Sequence, residues 1–127
     1  MGDKKDQVVV RRVKPYPFPV SLSQPNGEEM IFGQVKRLVT QGFLADMVVT
    51  YVRAGQTFHC VFQIPVLKFD VRSKVRTIKT YDQGQRDAAS NERILLVEFQ
   101  FVESDIQRRK KITEFIQRIG QASSGLQ

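Results

Sequence analysis

Apolar and polar residues alternate in short runs along most of the chain, a pattern typical of β-strands that bury one face. The alternation is clearest over residues 69–76, where apolar and charged side chains fall on opposite sides of the predicted strand. The side that faces water carries a basic row, Arg72, Lys74 and Arg76. Similar β-branched and aromatic runs predict further strands over residues 30–39, 45–52, 58–64 and 94–101.

Prolines and glycines punctuate these runs. Pro15, Pro17 and Pro19 exclude a helix near the N-terminus and predict an extended lead-in segment or an edge strand, because proline fixes the backbone and lacks an N–H donor. Gly33 lies inside a predicted strand and indicates a β-bulge. We expect breaks at residues 25–27, 40–42 and 54–55, and a polar hairpin loop over residues 81–91.

A helical period occurs only near the C-terminus. Four apolar residues recur there with the spacing of one helix face, and we expect all four in the core: Ile112, Phe115, Ile116 and Ile119. Ser104 and Gln107 have the spacing of a capping box, and Gly120 is expected to end the helix. The basic run at residues 108–111 is expected to be solvated.

These elements predict an all-β fold with a C-terminal α-helix, in which short antiparallel strands close into a small barrel that leaves no exposed sheet edge. Val97, Phe99 and Phe101 are expected to face the core. A length of 127 residues allows one domain. The predicted organisation is a basic N-terminal segment (1–14), the β-barrel (15–104), the amphipathic helix (105–120) and a flexible tail (121–127).

The charge of the chain narrows its partners. Lys and Arg number 20 against 13 Asp and Glu, a formal net charge of +7, which favours an anionic partner such as nucleic acid, a nucleotide phosphate or an acidic protein. No apolar run approaches the roughly 18 residues of a membrane-spanning helix, and the N-terminus lacks the apolar stretch of a signal peptide. We therefore expect a cytoplasmic protein without membrane insertion.

Few residues are suited to catalysis or metal binding. His59 and Cys60 are the sole histidine and cysteine, which argues against a zinc site and against a Ser-His-Asp triad. Cys60, among apolar neighbours, is expected to be a small buried hydrophobe. The carboxylates Asp46, Asp70 and Glu98 show no spacing of an acid-base pair. We expect neither an enzyme nor a bound cofactor or metal.

The order of the elements resembles the PilZ family of small β-barrel modules, which bind the bacterial second messenger cyclic di-GMP. The resemblance rests on YPFPV at residues 16–20, TQGFL at 40–44, FQIP at 62–65, VRSKV at 71–75 and VEF at 97–99, followed by the helix. It covers residues 8–120 and implies an antiparallel PilZ-like β-barrel with cyclic di-GMP as its candidate ligand.

Nucleotide-binding PilZ domains carry an R-x-x-x-R element on the N-terminal segment, where two guanidinium groups contact phosphate and guanine. Arginine suits this task because its planar fork donates two parallel hydrogen bonds. Arg11 and Arg12 lie at the corresponding place with Lys14 nearby, but Pro15 and Tyr16 stand four residues further on. The second arginine is therefore missing.

The second family element, D/N-x-S-x-x-G, is altered as well. Aligned on Gly42, it has Arg37 in place of Asp or Asn and Val39 in place of Ser, with Thr40 beside it. Arg37 is expected to compensate in part as a phosphate contact. The candidate ligand-binding residues are Arg11, Arg12, Lys14, Arg37, Thr40 and Gly42.

The resemblance and the altered motifs favour a non-enzymatic signalling or adaptor module of the cyclic di-GMP response. Its nucleotide binding is expected to be weak or lost, and it would act through a protein partner of a bacterial signalling or motility system. One alternative is a cyclic di-GMP receptor of the usual kind despite the altered motifs. A second is a basic oligonucleotide-binding barrel, disfavoured because the strand face with Arg72 carries no aromatic residue for base stacking. A third, weaker alternative is a purely structural domain.

Overall fold

The structure, a computed structural model, describes residues 14–27, 29–48 and 52–124, with side chains up to residue 120. Its strands and helix follow the predicted order. They are β1 (Phe18–Ser23), β2 (Met30–Val39), β3 (Gly42–Val48), β4 (Thr57–Ile64), β5 (Phe69–Arg86), β6 (Arg93–Phe101) and α1 (Ile106–Ser124).

The strands form a closed antiparallel barrel in the order β1-β2-β3-β6-β5-β4. β1 closes the ring because it pairs with β2 on one side and with β4 on the other, and Val20 lies opposite both Gly33 and Phe62. Closure pairs the backbone groups that an open sheet would leave free at its edges. The prediction of a small antiparallel β-barrel with a C-terminal helix is confirmed.

The prolines near the N-terminus lie where their missing N–H groups do least harm. Pro15 and Pro17 lie in the segment that precedes β1, residues 14–17, which we call the lead-in segment. Pro19 lies inside β1 opposite Gln34, ahead of the stretch that pairs with β4, which begins at Val20. The edge-strand alternative was wrong, because β1 has a neighbouring strand on each side.

The core fills the inside of the barrel with large side chains from alternate strand positions. Val97, Phe99 and Phe101 all point inward, as predicted. Phe43 packs at the centre of an aromatic cluster, with its ring centroid 5.1 Å from that of Phe99 and 6.0 Å from that of Phe101. Helix α1 contributes Phe115 to the same core, so the helix is a packed part of the domain.

Two strand bounds differ from the predictions. The strand expected over residues 45–52 begins earlier, as Gly42–Val48, because the preceding turn takes up only residues 40 and 41; residues 49–51 of that prediction lie outside the described residues. The loop expected over residues 81–91 is largely strand, since β5 continues to Arg86 and pairs there with Arg93. The side chains of this polar extension are exposed, and the strand is held together by its backbone pairing. The sequence therefore shows no alternation of apolar and polar residues there.

The turn that joins β5 to β6 is closed by Asp87. The Asn91 N–H donates to the Asp87 carbonyl oxygen at 2.7 Å, and the Ser90 N–H donates to the Asp87 carboxylate at 2.9 Å. The Ser90 hydroxyl also donates to this carboxylate, at 3.0 Å, and the two hydrogen bonds from Ser90 lower the pKa of the Asp87 carboxyl. Such a turn residue accepts bonds from its own backbone, as aspartate commonly does.

The bulge in β2 lies beyond Gly33, where none was expected. Pairing with β3 is regular at Gly33 and shifts between Val35 and Arg37. A Cβ atom at Gly33 would instead collide with the Asp46 carbonyl oxygen and the Met47 side chain. Glycine is therefore required by the close approach of β3, and the predicted bulge at Gly33 was wrong.

Helix α1 starts one residue later than the predicted capping box implies. The Asp105 carboxylate accepts a hydrogen bond from the Arg108 N–H at 2.9 Å, which makes Asp105 the N-cap in place of Ser104. At the other end, the helix continues through Gly120 to Ser124, so the prediction that Gly120 ends it was wrong. No described helix has the length and apolar character needed to cross a membrane.

The buried face of α1 is narrower than the helical spacing of its four apolar residues suggests. Ile112 and Phe115 are fully buried and Ile119 is half-buried, but Ile116 is 38% exposed. Its prediction as a core residue was wrong, because the barrel meets the helix along one narrow stripe. The remaining segment boundaries proposed from the sequence stay predictions.

Candidate functional site

An open groove of about 760 Å³ lies on the outer surface of the barrel, over β2, β3, β6 and β5. Arg37 and Gly42 line it together with Glu98 and Gln100. Most of its lining is apolar, and the apolar residues are Val39, Phe43, Leu44, Ile78, Tyr81, Leu96 and Phe99. A volume of this size suits a small ligand, so the chemistry of the lining decides what binds.

Strand register brings the polar groups of the groove into one row. Arg37 lies opposite Leu44, Leu44 opposite Glu98, and Glu98 opposite Lys79. Paired residues in an antiparallel sheet point to the same face, so these four side chains share the outer surface of four strands. Residues more than forty positions apart in the sequence thus become neighbours.

Two bulges shape this face. The irregularity before Arg37 leaves both Lys36 and Arg37 exposed, so the strand alternation is broken and Arg37 points outward. A second irregularity in β5 lies between Thr77 and Lys79 and leaves Ile78 38% exposed at the groove. Bulges redirect side chains in this way because they insert an unpaired residue into one strand.

The charges of the groove are mixed. Within the described ranges, Arg37 makes no ion pair, whereas neighbouring Lys36 lies 3.4 Å from the Asp46 carboxylate. Glu98 is half-buried in the groove lining. A phosphodiester placed here would meet the Arg37 guanidinium and also the Glu98 carboxylate, which opposes an anion. The groove is therefore no simple anion site.

The structure brings together only part of the predicted site. Arg37 and Gly42 both line the groove. Lys14 is exposed on the lead-in segment, and Thr40 donates its hydroxyl to the Gln41 side-chain oxygen at 3.2 Å; neither lines the groove. Arg11 and Arg12, at positions 11 and 12, lie outside the described residues.

Gly42 is required by close packing of the backbone. A Cβ atom at this position would collide with the carbonyl oxygen of Phe99 on the neighbouring strand. Gly42 pairs with Gln100 at the start of β3, directly after the turn. Glycine here permits the close approach of β3 and β6 that forms the end of the groove.

Tyr16 is engaged in holding the lead-in segment to the barrel. Its hydroxyl accepts a hydrogen bond from the Leu38 N–H at 2.9 Å. Its ring stacks on Phe18 with 6.0 Å between centroids and meets Phe115 of α1 edge-on at the same distance. Burial raises the pKa of the Tyr16 phenol, against the lowering effects of the Leu38 hydrogen bond and the Arg37 charge.

Other groups suited to chemistry are scattered in the fold. Cys60 is fully buried, and burial raises the pKa of its thiol to about 12, which keeps it protonated and unreactive at neutral pH. His59, next to it, is exposed. Across residues 14–27, 29–48 and 52–124, no three His, Cys, Asp or Glu side chains gather in a group that could hold a metal ion.

Two solved structures share this architecture. The PilZ domain of YcgR from Escherichia coli, solved with cyclic di-GMP, matches with a TM-score of 0.64 and 12% identity over 90% of this chain and 89% of that chain. The PilZ domain of CeSA from a cellulose-synthesizing bacterium matches with a TM-score of 0.51 and 12% identity, over 84% of this chain and 96% of that chain. The chain has a PilZ-like fold.

The likeness to PilZ domains is seen in the structure and is not found by comparison of the sequence. No protein-family model matches the chain, and no curated protein does. The resemblance inferred from the order of elements is confirmed at the level of the fold.

The residues aligned from the sequence with the two PilZ ligand elements lie in different parts of the fold. Arg37 and Val39, aligned with the Asp and Ser of the second element, line the groove. Tyr16, four residues after Arg12, has its phenol hydrogen-bonded to the Leu38 backbone. That Tyr16 stands in place of the second arginine of the first element stays a prediction.

Arg108 is a buried cation that the sequence suggested would be solvated. It is 7% exposed, and its guanidinium donates to the Ser73 hydroxyl at 3.0 Å and to the Glu103 carbonyl oxygen at 2.6 Å. The same group lies over the Phe101 ring, 4.1 Å from the centroid. The expectation for the run at residues 108–111 was wrong at Arg108, since charge alone does not reveal contacts between α1 and the barrel.

Proposed function

We propose that this protein is a non-enzymatic, cytoplasmic PilZ-like signalling or adaptor module of the bacterial cyclic di-GMP response. It binds cyclic di-GMP weakly or not at all and acts through a protein partner. The observation that carries the proposal is the groove lining. At the two positions where nucleotide-binding PilZ domains have an acid or amide and a hydroxyl, the groove has Arg37 and Val39.

The loss of these polar groups weakens nucleotide binding. A hydrogen bond to a charged partner contributes roughly 1.5–3 kcal/mol, so two missing bonds lower the affinity by roughly 10²–10⁴-fold. Val39 provides neither a donor nor an acceptor on its side chain. The Glu98 carboxylate repels the phosphodiester groups of the messenger, and Lys79, opposite it on β5, offsets part of that repulsion.

The same groove suits a protein. Leu44 and Leu96 are half-buried, and Ile78 and Tyr81 are each 38% exposed, so the surface offers apolar contact area that water covers in the free chain. Arg37, which makes no ion pair with the residues that the structure describes, lines the groove, and arginine and tyrosine are enriched at protein interfaces. We assign the groove to an apolar side chain of a protein partner, with Arg37 contacting a carboxylate beside it.

Calorimetric titration of the full chain with cyclic di-GMP tests this proposal. We expect no saturable heat at about 100 μM nucleotide, a concentration that would half-saturate a site with a binding free energy of about −5.5 kcal/mol. Micromolar binding that is lost in an Arg11→Ala plus Arg12→Ala variant would overturn the proposal. It would instead favour a cyclic di-GMP receptor that retains its N-terminal arginines.

A further inference from the structure

A second surface, away from the groove, combines exposed apolar side chains with cations that form no ion pair among the described residues. Met30 and Phe32 lie two residues apart on β2 and are 56% and 61% exposed. These are among the most exposed large apolar side chains of the described residues, and they lie side by side on the outside of the barrel. Isolated exposed apolar residues are ordinary, but a pair on one face makes a contact patch.

Register places this pair on the same face as the basic row. Phe32 lies opposite Ser21, Ser21 opposite Val61, and Val61 opposite Arg72. Phe32 and Arg72 are thus separated by three strand spacings, about 14 Å. No local sequence pattern indicates this arrangement, because the aromatic residue and the cation belong to different strands and are forty residues apart.

The next row repeats the arrangement. Met30 lies opposite Ser23, Ser23 opposite His59, and His59 opposite Lys74. In these two rows β1 contributes only Ser21 and Ser23. The larger side chains of β2 and β4 therefore lie on either side of a strip of small ones. We call the surface formed by Met30, Phe32, Ser21, Ser23, Val61, His59, Arg72 and Lys74 the β1 face.

The cations of this face are free to bind. Within the described part of the chain, Arg72 and Lys74 make no ion pair, and neither does Arg76 at the end of the same row. Asp70, at the other end, accepts a hydrogen bond from the Gln63 side chain at 3.2 Å. The positive charge of the row is therefore available to an acidic partner.

The composition of the β1 face selects among partners. A single-stranded nucleic acid would use successive aromatic rings for base stacking, whereas the two aromatic rings of this face, Phe32 and His59, lie in different rows on strands that β1 separates. A second copy of this chain would bring another +7 charge against the basic row. An acidic protein segment with an apolar side chain satisfies both halves of the surface.

We propose that the β1 face is a docking surface for an acidic, amphipathic segment of a protein partner. An apolar side chain of the segment packs on Phe32 and Met30, and its carboxylates pair with Arg72 and Lys74. The width of about 14 Å accommodates one helix, whose diameter with side chains is about 10–12 Å. Together with the groove, this face gives the module two separate contact surfaces, as an adaptor requires.

Selection from a displayed library of random peptides of about 12 residues, which span about 18 Å as a helix, tests the proposal. The immobilised full chain is the bait, and a Phe32→Ser plus Arg72→Glu variant removes peptides that bind elsewhere. We expect the enriched peptides to be net acidic with at least one large apolar residue. Their affinities are then measured by fluorescence anisotropy for the wild type and for each single variant.

Phe32→Ser and Arg72→Glu are each expected to weaken binding by about tenfold or more, and added salt should weaken it further. Ile78→Ser is the matched control, since it removes an exposed apolar side chain from the groove and should leave these affinities unchanged. Circular dichroism confirms that each variant is folded.

Three results would overturn the proposal: enriched peptides without net negative charge, equal affinity for the Phe32→Ser variant, or loss of binding in Ile78→Ser instead. Displacement of the peptides by oligothymidylate at the same affinity would assign the face to nucleic acid. None of these results depends on whether cyclic di-GMP binds, so the proposed function is tested separately.

Discussion

The Tyr16 hydroxyl accepts a hydrogen bond from the Leu38 N–H at 2.9 Å, at a point on β2 where pairing with β1 has stopped. The last β2 residue opposite β1 is Val35, so the phenol takes the place of a strand neighbour. The same ring contacts Phe115 of α1. Tyr16 therefore joins the lead-in segment, the groove strand β2 and the helix.

Replacing this hydroxyl should destabilise the fold. Tyr16→Phe keeps the ring contacts but leaves the Leu38 N–H without its acceptor, which costs about 1–3 kcal/mol. The free energy of unfolding from urea denaturation measures the loss. Tyr81→Phe, at a residue that is 38% exposed, is the control and should change stability by less than about 0.5 kcal/mol. Equal stability of the two variants would show that the Tyr16 bond contributes nothing.

Two glycines should respond in opposite directions to alanine. Gly42→Ala places a Cβ against the Phe99 carbonyl oxygen and should destabilise the protein by about 1–3 kcal/mol, as overpacking does. Gly120→Ala meets nothing within 4 Å on the helix and should stabilise it by up to about 1 kcal/mol. Thermal melting of both variants checks the pair. A neutral Gly42→Ala would remove the steric explanation of that position.

The guanidinium of Arg108 should not be replaceable by an amine. Arg108→Lys loses the planar group that contacts the Ser73 hydroxyl, the Glu103 carbonyl oxygen and the Phe101 ring, and should cost about 1–3 kcal/mol. Arg109→Lys, on the exposed side of α1, should be nearly neutral. Chemical denaturation measures the stability of both variants. If only the positive charge on α1 mattered, the two effects would be equal and small.

Stability should fall in alkali because of Cys60. The thiol has its ordinary pKa of 9.0 in the unfolded chain and a pKa of about 12 in the fold, so between these values only the unfolded state gains a thiolate. The contribution of the protonated Cys60 thiol to the free energy of unfolding is fully present below pH 9.0. It is lost as the pH rises, by about 2–3 kcal/mol near pH 11. Urea denaturation from about pH 8 to 11 should therefore show a shallower decline for Cys60→Ala than for the wild type. Parallel declines would contradict the burial of the thiol.

The strands and their inward faces could be predicted because alternation marks burial directly, as for Val97, Phe99 and Phe101. The β5 extension to Arg86 could not, since its residues are exposed and pair through backbone groups that leave no pattern of side chains. The core position of Ile116 failed for a related reason. Helical spacing shows which residues share a face but not how much of that face the barrel covers.

The candidate site was predictable only where it lies on one hairpin. Arg37 and Gly42 flank the β2–β3 turn, so a local motif could find them. Glu98 and Ile78 reach the groove through strand register and a bulge, which bring distant segments together. Arg108 was missed because a basic residue at a helix start is usually solvated, and its contacts with Phe101 and Ser73 are tertiary.

The most direct test of the central claim, that the groove binds cyclic di-GMP weakly or not at all, is a ¹⁵N-correlated NMR titration of the full chain with cyclic di-GMP. We expect the amides of Arg37, Val39, Gly42 and Leu44 to show no saturable shift up to about 100 μM nucleotide, so that any binding free energy is weaker than about −5.5 kcal/mol. Saturable shifts of these same amides at micromolar nucleotide would contradict the claim and make the protein a cyclic di-GMP receptor.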